Sequence, residues 1–257
     1  MRQGEALGMS GSDESPSKRS IDQLGERLRR GEATDNDLRQ LERWRQTFRP
    51  AYEVVNEELG RIRWRVCASV LDFFSLSQRP AKTTESIVAK LRRMHTARLS
   101  QMQDIAGCRV VVFSRHQQDA MVDAVRSAFD STRVDDLRIA PSHGYKAVHV
   151  LVYVADRTVE VQIRNGYENY WALASERLAD AFGQEVKYGG GPHMVRGLLC
   201  DLDDYLQRLE DSEPLRARSA TAEEIAACMA PWGVTGEGLV RMVSSIGSML
   251  PPPLGPP

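Results

Sequence analysis

Two short runs of alternating apolar residues lie close together near the middle of the chain. In the stretch AVHVLVYVADRTVEVQIR, which covers residues 147–164, every second residue of each run is valine or isoleucine, and Ala155-Asp156-Arg157-Thr158 separates the runs. A period of two is typical of β-strands with one buried face, so the stretch predicts strand, turn and strand. This hairpin constrains the fold most, because a slip of one residue would move every aliphatic side chain to the opposite face.

The pairing of the two strands decides which polar side chains lie together. If Val154 pairs with Val159, the aliphatic residues form one face, and the other face carries three predicted pairs. These pairs are His149 with Arg164, Leu151 with Gln162, and Tyr153 with Glu160. A solvated outer face is the simple interpretation of such a row. The row nevertheless offers an imidazole, a guanidinium, an amide and a carboxylate, which together have the chemistry of an active site.

Composition narrows the class of protein. The 257 residues are 42% hydrophobic and 27% charged, which predicts one catalytic-sized domain with appendages. The formal net charge of −1 argues against a protein that binds nucleic acid over its whole surface. No apolar run approaches the length of about 20 residues that a membrane span needs. The four cysteines are isolated and are interpreted as reduced thiols, so we expect a cytoplasmic protein without membrane contact; they are Cys67, Cys108, Cys200 and Cys228.

Changes in composition divide the chain into four predicted segments. Residues 1–18 are rich in Gly, Ser and acidic residues, which predicts disorder. Residues 19–78 are predicted to form N-terminal helices, the last of which continues to about Phe74. Residues 79–212 are the predicted core, and residues 213–257 a helical and Pro-rich extension. The apolar positions of this extension leave three roles open: covering the core, contacting another copy in a homo-oligomer, or folding over the active site.

A basic stretch follows the N-terminal helices. Between residues 79 and 98, six Lys or Arg side chains stand against one acidic side chain. A helix predicted to begin at Thr83 or Thr84 places three potential phosphate ligands on one face, namely Ser86, Lys90 and Arg93. Because a helix N-terminus also favours anions, this segment predicts a polyphosphate site. A basic, solvated face of an amphipathic helix is the alternative.

Two further segments carry residues with catalytic chemistry. Asp104 comes just before a predicted buried strand and Arg109 at its start, while Gly107 permits a close approach of backbone or ligand. Tyr145 ends a loop directly before the hairpin, where it is placed to stack on a base, although an aromatic residue there is more often part of a core. None of these signals is specific on its own.

Six segments in a fixed order carry a resemblance to a known family: KTTESIVAKLRR, QMQDIAGCRVVV, HGYKAVHVLV, VEVQIR, YWALASE and VKYGGG. Together they resemble the RelA/SpoT synthetase domain of alarmone, or (p)ppGpp, synthetases, in its small single-domain form. The resemblance implies an α+β fold, with a mixed β-sheet flanked by helices and related to nucleotidyltransferases. It also implies an activity, the transfer of the β,γ-diphosphate of ATP to the ribose 3′-hydroxyl of GDP or GTP in the stringent response.

The resemblance implies a role for each matched position. The implied ATP-binding residues are Arg79, Lys82, Ser86, Lys90, Arg93 and Arg109, with Arg79 and Arg109 sandwiching the adenine. Asp104 and Glu160 are the implied catalytic residues and Mg²⁺ ligands, and Glu160 is also the implied base. The implied acceptor-nucleotide contacts are Tyr145, Lys146, His149, Gln162, Arg164 and Lys187. These residue types suit the chemistry, because phosphoryl transfer depends on alignment and on cations around spreading negative charge, and Mg²⁺ prefers oxygen ligands.

Three functions remain open at this point. The leading hypothesis is a Mg²⁺-dependent GTP pyrophosphokinase that makes alarmone without degrading it, since the sequence contains no His-Asp dipeptide of the kind that a hydrolase half would need. A toxin-type synthetase, which makes adenosine alarmones or modifies the 3′ end of tRNA, would use the same machinery. A catalytically silent nucleotide-binding regulator is the third, and the presence of both Asp104 and Glu160 argues against it.

Overall fold

The computed structural model describes residues 16–66, 74–79 and 81–211. Most of the predicted disordered N-terminus and the whole predicted extension, residues 213–257, lie outside this part. Its α-helices are α1 (Lys18–Arg30), α2 (Asp35–Gln46), α3 (Arg49–Val66), α4 (Thr84–Arg93), α5 (Arg115–Ala128), α6 (Gly166–Phe182) and α7 (His193–Asp211). Its strands are β1 (Phe74–Arg79), β2 (Ala106–Val112), β3 (Thr132–Asp136), β4 (Val148–Val154) and β5 (Arg157–Asn165). Within the described residues, no helix is long and apolar enough to cross a membrane.

The first helices begin and end at the residues that the sequence indicates. Gly31 ends α1 with a φ of 74°, and its N–H donates to carbonyls of the last turn. Thr34 begins α2 in a capping box with Asp37, in which each side chain bonds the other residue's backbone N–H. Ile21, Leu24 and Leu28 form an apolar stripe on α1, and all three are buried.

The five strands form one mixed sheet in the order β1-β2-β5-β4-β3. β2 and β5 are parallel neighbours, and the other three pairings are antiparallel. The predicted fold class, a mixed sheet flanked by helices, is therefore confirmed. The central strand is β5, which pairs with β2 in parallel and with its hairpin partner β4 in antiparallel orientation.

The hairpin pairs two residues away from the predicted register. Val154 pairs with Arg157 rather than with Val159, so a turn of two residues replaces the predicted turn of four. Ala155 and Asp156 form this turn with φ angles of 45° and 61°. Positive φ at both central residues is the geometry of a type I′ turn, which matches the twist of the strands better than a longer loop does.

The shift changes the pairs but not the faces. The observed pairs are His149 with Gln162, Leu151 with Glu160, and Tyr153 with Thr158. Because side chains alternate with a period of two, a shift of two residues leaves the aliphatic set on one face. Six of its members are completely buried: Val148, Val150, Val152, Val159, Val161 and Ile163. At about 1.5–3 kcal/mol for each buried side chain, this face fixes the position of the polar row behind it.

Two strands at the sheet edges were not predicted. Residues 74–79 form β1, where the sequence suggested the end of a helix, and β3 lies where no strand was expected. Both segments mix polar and apolar residues and are only partly buried. Such edge strands lack the continuous aliphatic pattern that identifies central strands.

Helices cover the sheet in two groups. The aliphatic face shares one hydrophobic cluster with residues of α1 to α5. α6 and α7 form a second cluster around Trp171 and Leu202, and α6 also contacts β2 and β5. The polar row of the hairpin therefore lies on the face away from the main core, beside α6.

Candidate active site

The parallel pairing of β2 with β5 brings the two predicted catalytic carboxylates to one place. Gly107 of β2 lies opposite Glu160 of β5. A Cβ atom at position 107 would stand 2.7 Å from the Glu160 carbonyl oxygen, so only glycine fits at this position of β2. Asp104 precedes β2 by two residues, and its charge acts against ionisation of Glu160. Arg109 lies in the middle of β2, opposite Gln162, rather than at the strand's start.

Asp104 is held by two lysines. Lys82 Nζ donates to one carboxylate oxygen and Lys90 Nζ to the other, each at 2.8 Å. All three side chains are between 19% and 26% exposed, so the cluster is accessible from one side. Burial alone would raise the pKa of Asp104, but Lys90 and Lys82 outweigh it and hold the pKa below its ordinary value. Asp104 is therefore an ionised oxygen donor at neutral pH.

Glu160 is the more deeply buried carboxylate, and it also stays ionised. His149 Nδ1 lies 3.1 Å from one of its oxygens, and Gln162 Nε2 donates to the other at 2.8 Å. Burial and Asp104 act to raise the pKa of Glu160, whereas the bonds from His149 and Gln162 lower it below its ordinary value. Each oxygen keeps a further lone pair for a ligand.

A chain of hydrogen bonds supports Glu160 from behind. Arg164 Nη2 donates to the Tyr145 hydroxyl oxygen at 2.9 Å, and that hydroxyl lies 3.0 Å from His149 Nε2. The two ring nitrogens of His149 thus lie between the Tyr145 hydroxyl and the Glu160 carboxylate. Because both ring nitrogens have a partner, these contacts orient the imidazole ring against the Glu160 carboxylate.

Two clefts open beside this chain, and each has a volume of about 310 Å³. We call the first the carboxylate cleft; its lining includes Arg79, Lys82, Ser86, Asp104, Glu160 and Gln162. We call the second the aromatic cleft; its lining includes Arg93, Tyr145, Arg164, Trp171, Glu176, Lys187 and Tyr188. Three of the six predicted ATP-binding residues line the carboxylate cleft, namely Arg79, Lys82 and Ser86, whereas Arg93 lines the aromatic cleft. Three of the six predicted acceptor contacts line the aromatic cleft, namely Tyr145, Arg164 and Lys187, whereas Gln162 lines the carboxylate cleft.

Helix α4 turns its polar face towards the carboxylate cleft as its sequence indicates. Thr83 caps the helix by accepting from the Ser86 backbone N–H, and Ile87 and Leu91 are fully buried. Those two anchors point Ser86 and Lys90 away from the core. One turn further on, Arg93 stacks with its guanidinium 3.9 Å from the centre of the Tyr188 ring, at the aromatic cleft.

One predicted contact lies elsewhere. Lys146 Nζ bonds Asp203 and Gln207 of α7 at 2.8 Å and 3.0 Å, and its side chain is only 14% exposed. Lys146 lines neither cleft. These bonds join the start of the hairpin to α7, and the acceptor contact implied for Lys146 stays a prediction.

Several residues of the aromatic cleft were not singled out from the sequence. Trp171 and Glu176 lie in the segment YWALASE and Tyr188 lies in VKYGGG, but the sequence assigns no role to any of them. Gly144 is the residue that indicates the position of Trp171, since a Cβ atom at position 144 would lie 2.7 Å from the indole ring. This glycine brings the loop before Tyr145 against α6, and so closes the cleft.

The region between the clefts contains buried polar atoms without a hydrogen-bond partner among the described residues. They include Arg109 Nε, Gln162 Oε1, and both Nε and Nη1 of Arg164. Buried polar groups are nearly always satisfied in folded proteins, so exceptions need an explanation. Here three such residues surround one pair of clefts, which is the arrangement expected of a site whose ligand supplies the missing partners.

The donor set also suits a hard divalent cation. Asp104 and Glu160 supply carboxylate oxygens, which are the ligands that Mg²⁺ prefers. Within residues 16–66, 74–79 and 81–211, no group of three or more His, Cys, Asp or Glu side chains is arranged to hold a metal ion by itself. A cation here would fit as one that takes its remaining ligands from phosphate oxygens and water.

The sequence matches a protein-family model over part of its length. Residues 79–178 match the model of the region found in RelA/SpoT proteins. An uncharacterized protein of Mycobacterium tuberculosis is 36% identical over 118 residues, which are 45% of this chain and 43% of the relative. A protein of Mycobacterium bovis matches to the same extent. The match therefore spans less than half the length of these curated relatives.

Comparison with solved structures finds the same fold. The small alarmone synthetase 1 from Bacillus subtilis, bound to its product pppGpp, is 26% identical with a TM-score of 0.56. The match covers 71% of this chain and 100% of that one. A GTP pyrophosphokinase family protein from Streptococcus pneumoniae, at 23% identity and a TM-score of 0.53, shares the fold over 72% of this chain and 97% of its own.

Proposed function

We propose that this chain is an ATP-dependent pyrophosphokinase, because residues 79–178 match the model of the region found in RelA/SpoT proteins and the fold is similar to that of the small alarmone synthetase 1 from Bacillus subtilis. The proposed reaction transfers the β,γ-diphosphate of ATP to the 3′-hydroxyl of GDP or GTP, and it yields AMP and (p)ppGpp. The observation that carries this proposal is the pair of ionised carboxylates, Asp104 and Glu160, that line one cleft beside the parallel strands β2 and β5. Their cationic and aromatic surroundings suit two nucleotides.

The carboxylate cleft suits the phosphates of ATP. Lys82 and Ser86 line it. Lys90, which lies on the same helix as Ser86, donates to Asp104. Arg79 lines the same cleft from β1. In phosphoryl transfer the protein gains rate from fixed positive charge around the oxygens that become more negative. Two lysines already held in place by Asp104 need no reorganisation to act in this way.

Glu160 suits the role of the group that orients and deprotonates the attacking hydroxyl. A ribose hydroxyl is a weak nucleophile at neutral pH, and a carboxylate within hydrogen-bond reach helps it even when the carboxylate pKa is ordinary. His149 and Gln162 hold the Glu160 oxygens. Because this support keeps Glu160 ionised, the base is available without a change in pH.

A magnesium ion would be held by Asp104 and Glu160 together with phosphate oxygens of the bound nucleotide. Its contribution would be to neutralise and align the transferring phosphates. The chain's own part is to keep both carboxylates ionised and on one side of the cleft. The lysines on Asp104 balance its charge before any cation binds.

The test is an acceptor screen with labelled ATP. The purified protein is incubated with Mg²⁺ and γ-³²P-labelled ATP, and GDP, GTP, AMP and deacylated tRNA are added in turn, with Glu160→Gln as the control. We expect label to move to GDP or GTP and to be lost in the control. Transfer only to tRNA or only to AMP would contradict the proposed acceptor, and no transfer to any acceptor would contradict the pyrophosphokinase itself.

A further inference from the structure

The aromatic cleft contains one carboxylate among its cations. Glu176 of α6 lines the cleft together with Arg93, Arg164 and Lys187. Its closest charged partner is Arg109, whose Nη2 lies 3.6 Å away, which is too long for a hydrogen bond. The side chain is 41% exposed. Both Glu176 oxygens therefore keep lone pairs available to a ligand in this cleft.

A phosphate group is a poor partner for this carboxylate, because two anions repel each other. The part of the cleft beside Glu176 suits the uncharged end of a nucleotide. Tyr145, Trp171 and Tyr188 line the same cleft, and aromatic side chains are the usual stacking surfaces for planar bases. Ala172, one helical turn before Glu176, also lines it, and its small side chain takes little space.

The four common bases differ in what they offer a carboxylate. Guanine presents two adjacent donors on its Watson–Crick edge, N1–H and the 2-amino group, and these match the two oxygens of a carboxylate. Adenine presents one donor, its 6-amino group, beside the N1 lone pair, which a carboxylate repels. A site built around hydrogen bonds rejects the ligand that leaves them unmade.

We infer that Glu176 accepts hydrogen bonds from the N1–H and 2-amino groups of the acceptor nucleotide, and so selects guanine over adenine. This inference rests on the proposed function, and it names the residue that determines the acceptor base. Glu176 is well placed for selection because α6 is rigid. Asn165 and Glu168 cap its start with a capping box, and Trp171 Nε1 donates to the Leu199 carbonyl of α7 at 3.1 Å.

The test compares acceptors that differ by one hydrogen-bond donor. Inosine diphosphate keeps the N1–H of guanosine diphosphate but lacks its 2-amino group. For the unmodified protein with Mg²⁺ and labelled ATP, we expect kcat/KM for GDP to exceed that for IDP by about tenfold. In Glu176→Gln, which keeps the shape and loses an acceptor, we expect the ratio to fall to about twofold. Asp180→Asn is the matched control, since Asp180 is an exposed acid on the same helix outside the cleft.

The ratio separates base recognition from other roles of Glu176. If Glu176 only holds Arg109, the variant would lower kcat/KM for GDP and IDP by the same factor, and the unchanged ratio would overturn the inference. An unmodified protein that uses ADP as well as GDP would also overturn it. If the unmodified protein transfers no label to any acceptor, the proposed function fails first, and the result differs from a ratio that fails to change.

Discussion

Two carboxylates eight residues apart in the sequence have pKa values shifted in opposite directions. Glu160 on β5 has a pKa below its ordinary value, because His149 and Gln162 outweigh the effect of burial. Glu168, in the first turn of α6, has a pKa raised to about 7 by burial, and the Glu210 carboxylate adds to the shift. Burial acts to raise the pKa of both carboxylates, and the balance between burial, hydrogen-bond donors and neighbouring charges decides the direction of the net shift.

The two glutamates also differ in their surroundings, because Glu160 faces a possible ligand site and Glu168 lies in a buried hydrogen-bond network between helices. Glu160 lines an open cleft. Glu168 is enclosed: one of its oxygens accepts from Gln118 Nε2 at 2.6 Å and from the Asn165 backbone N–H at 3.2 Å. Asn165 in turn donates to Glu210 of α7 at 2.6 Å. The polar network around Glu168 thus joins α5, β5, α6 and α7, and it exposes no oxygen to a substrate.

The largest expected effect distinguishes the two glutamates by activity. We expect Glu160→Gln to lower label transfer by about 10²- to 10⁴-fold, because it removes the base. Glu168→Gln should leave transfer within about threefold of the unmodified protein, since it lies outside both clefts. Initial rates of label transfer at saturating ATP measure both. Equal losses of activity in the two variants would contradict the claim that Glu160 takes part in transfer and Glu168 does not.

The second effect concerns stability and pH. The folded protein binds the Glu168 proton more tightly than the unfolded chain does, so the free energy of unfolding should fall as pH rises from about 4.5 to about 7. At about 1.4 kcal/mol per pKa unit, the contribution is about 3 kcal/mol. Urea unfolding at several pH values measures it. Glu168→Gln should remove this part of the slope, and an unchanged slope would show that Glu168 is not its source.

A smaller effect sharpens the account of how Glu160 is held. Tyr145→Phe keeps the ring but removes the hydroxyl that lies between Arg164 and His149. We expect kcat to fall by about tenfold, as for the loss of one positioning hydrogen bond, with KM for the acceptor nearly unchanged. A rise in KM with an unchanged kcat would mean that the hydroxyl contacts the acceptor and does not orient His149.

The smallest effect concerns Lys146. Lys146→Met should lower the free energy of unfolding by about 1 kcal/mol, because it leaves Asp203 and Gln207 without this partly buried partner. We expect KM for the acceptor to stay within about twofold. Urea unfolding and acceptor titration measure the two quantities. A large rise in KM with full stability would restore the acceptor role that the resemblance implied.

The sequence predicts the parts of this site that depend on local periodicity. The two faces of the hairpin and the polar face of α4 follow from aliphatic residues at fixed intervals, and the structure confirms both. The hairpin register was wrong because Ala155-Asp156 lacks the Asn-Gly or Asp-Gly signal of a type I′ turn. The faces were still correct, because an error of two residues preserves them.

The sequence fails where the site depends on contacts between distant segments. The aromatic cleft joins Tyr145, the α6 residues Trp171 and Glu176, and Tyr188, and no single periodic pattern contains these positions. β1 and β3 are edge strands whose mixed composition gives no clear pattern. Their places are set by pairing with β2 and β4, which is information that lies elsewhere in the chain.

The most direct test of the central claim is the identity of both products. Phosphorus-31 NMR of a reaction with unlabelled ATP, GDP and Mg²⁺ would follow all phosphate groups at once. The account predicts AMP and a nucleotide with a new diphosphate on its 3′-hydroxyl in a one-to-one ratio. Both products should form with the unmodified protein and with Glu168→Gln, and neither should form with Glu160→Gln. Formation of ADP, or of free phosphate or pyrophosphate without a modified acceptor, would contradict diphosphate transfer at the site of Asp104 and Glu160.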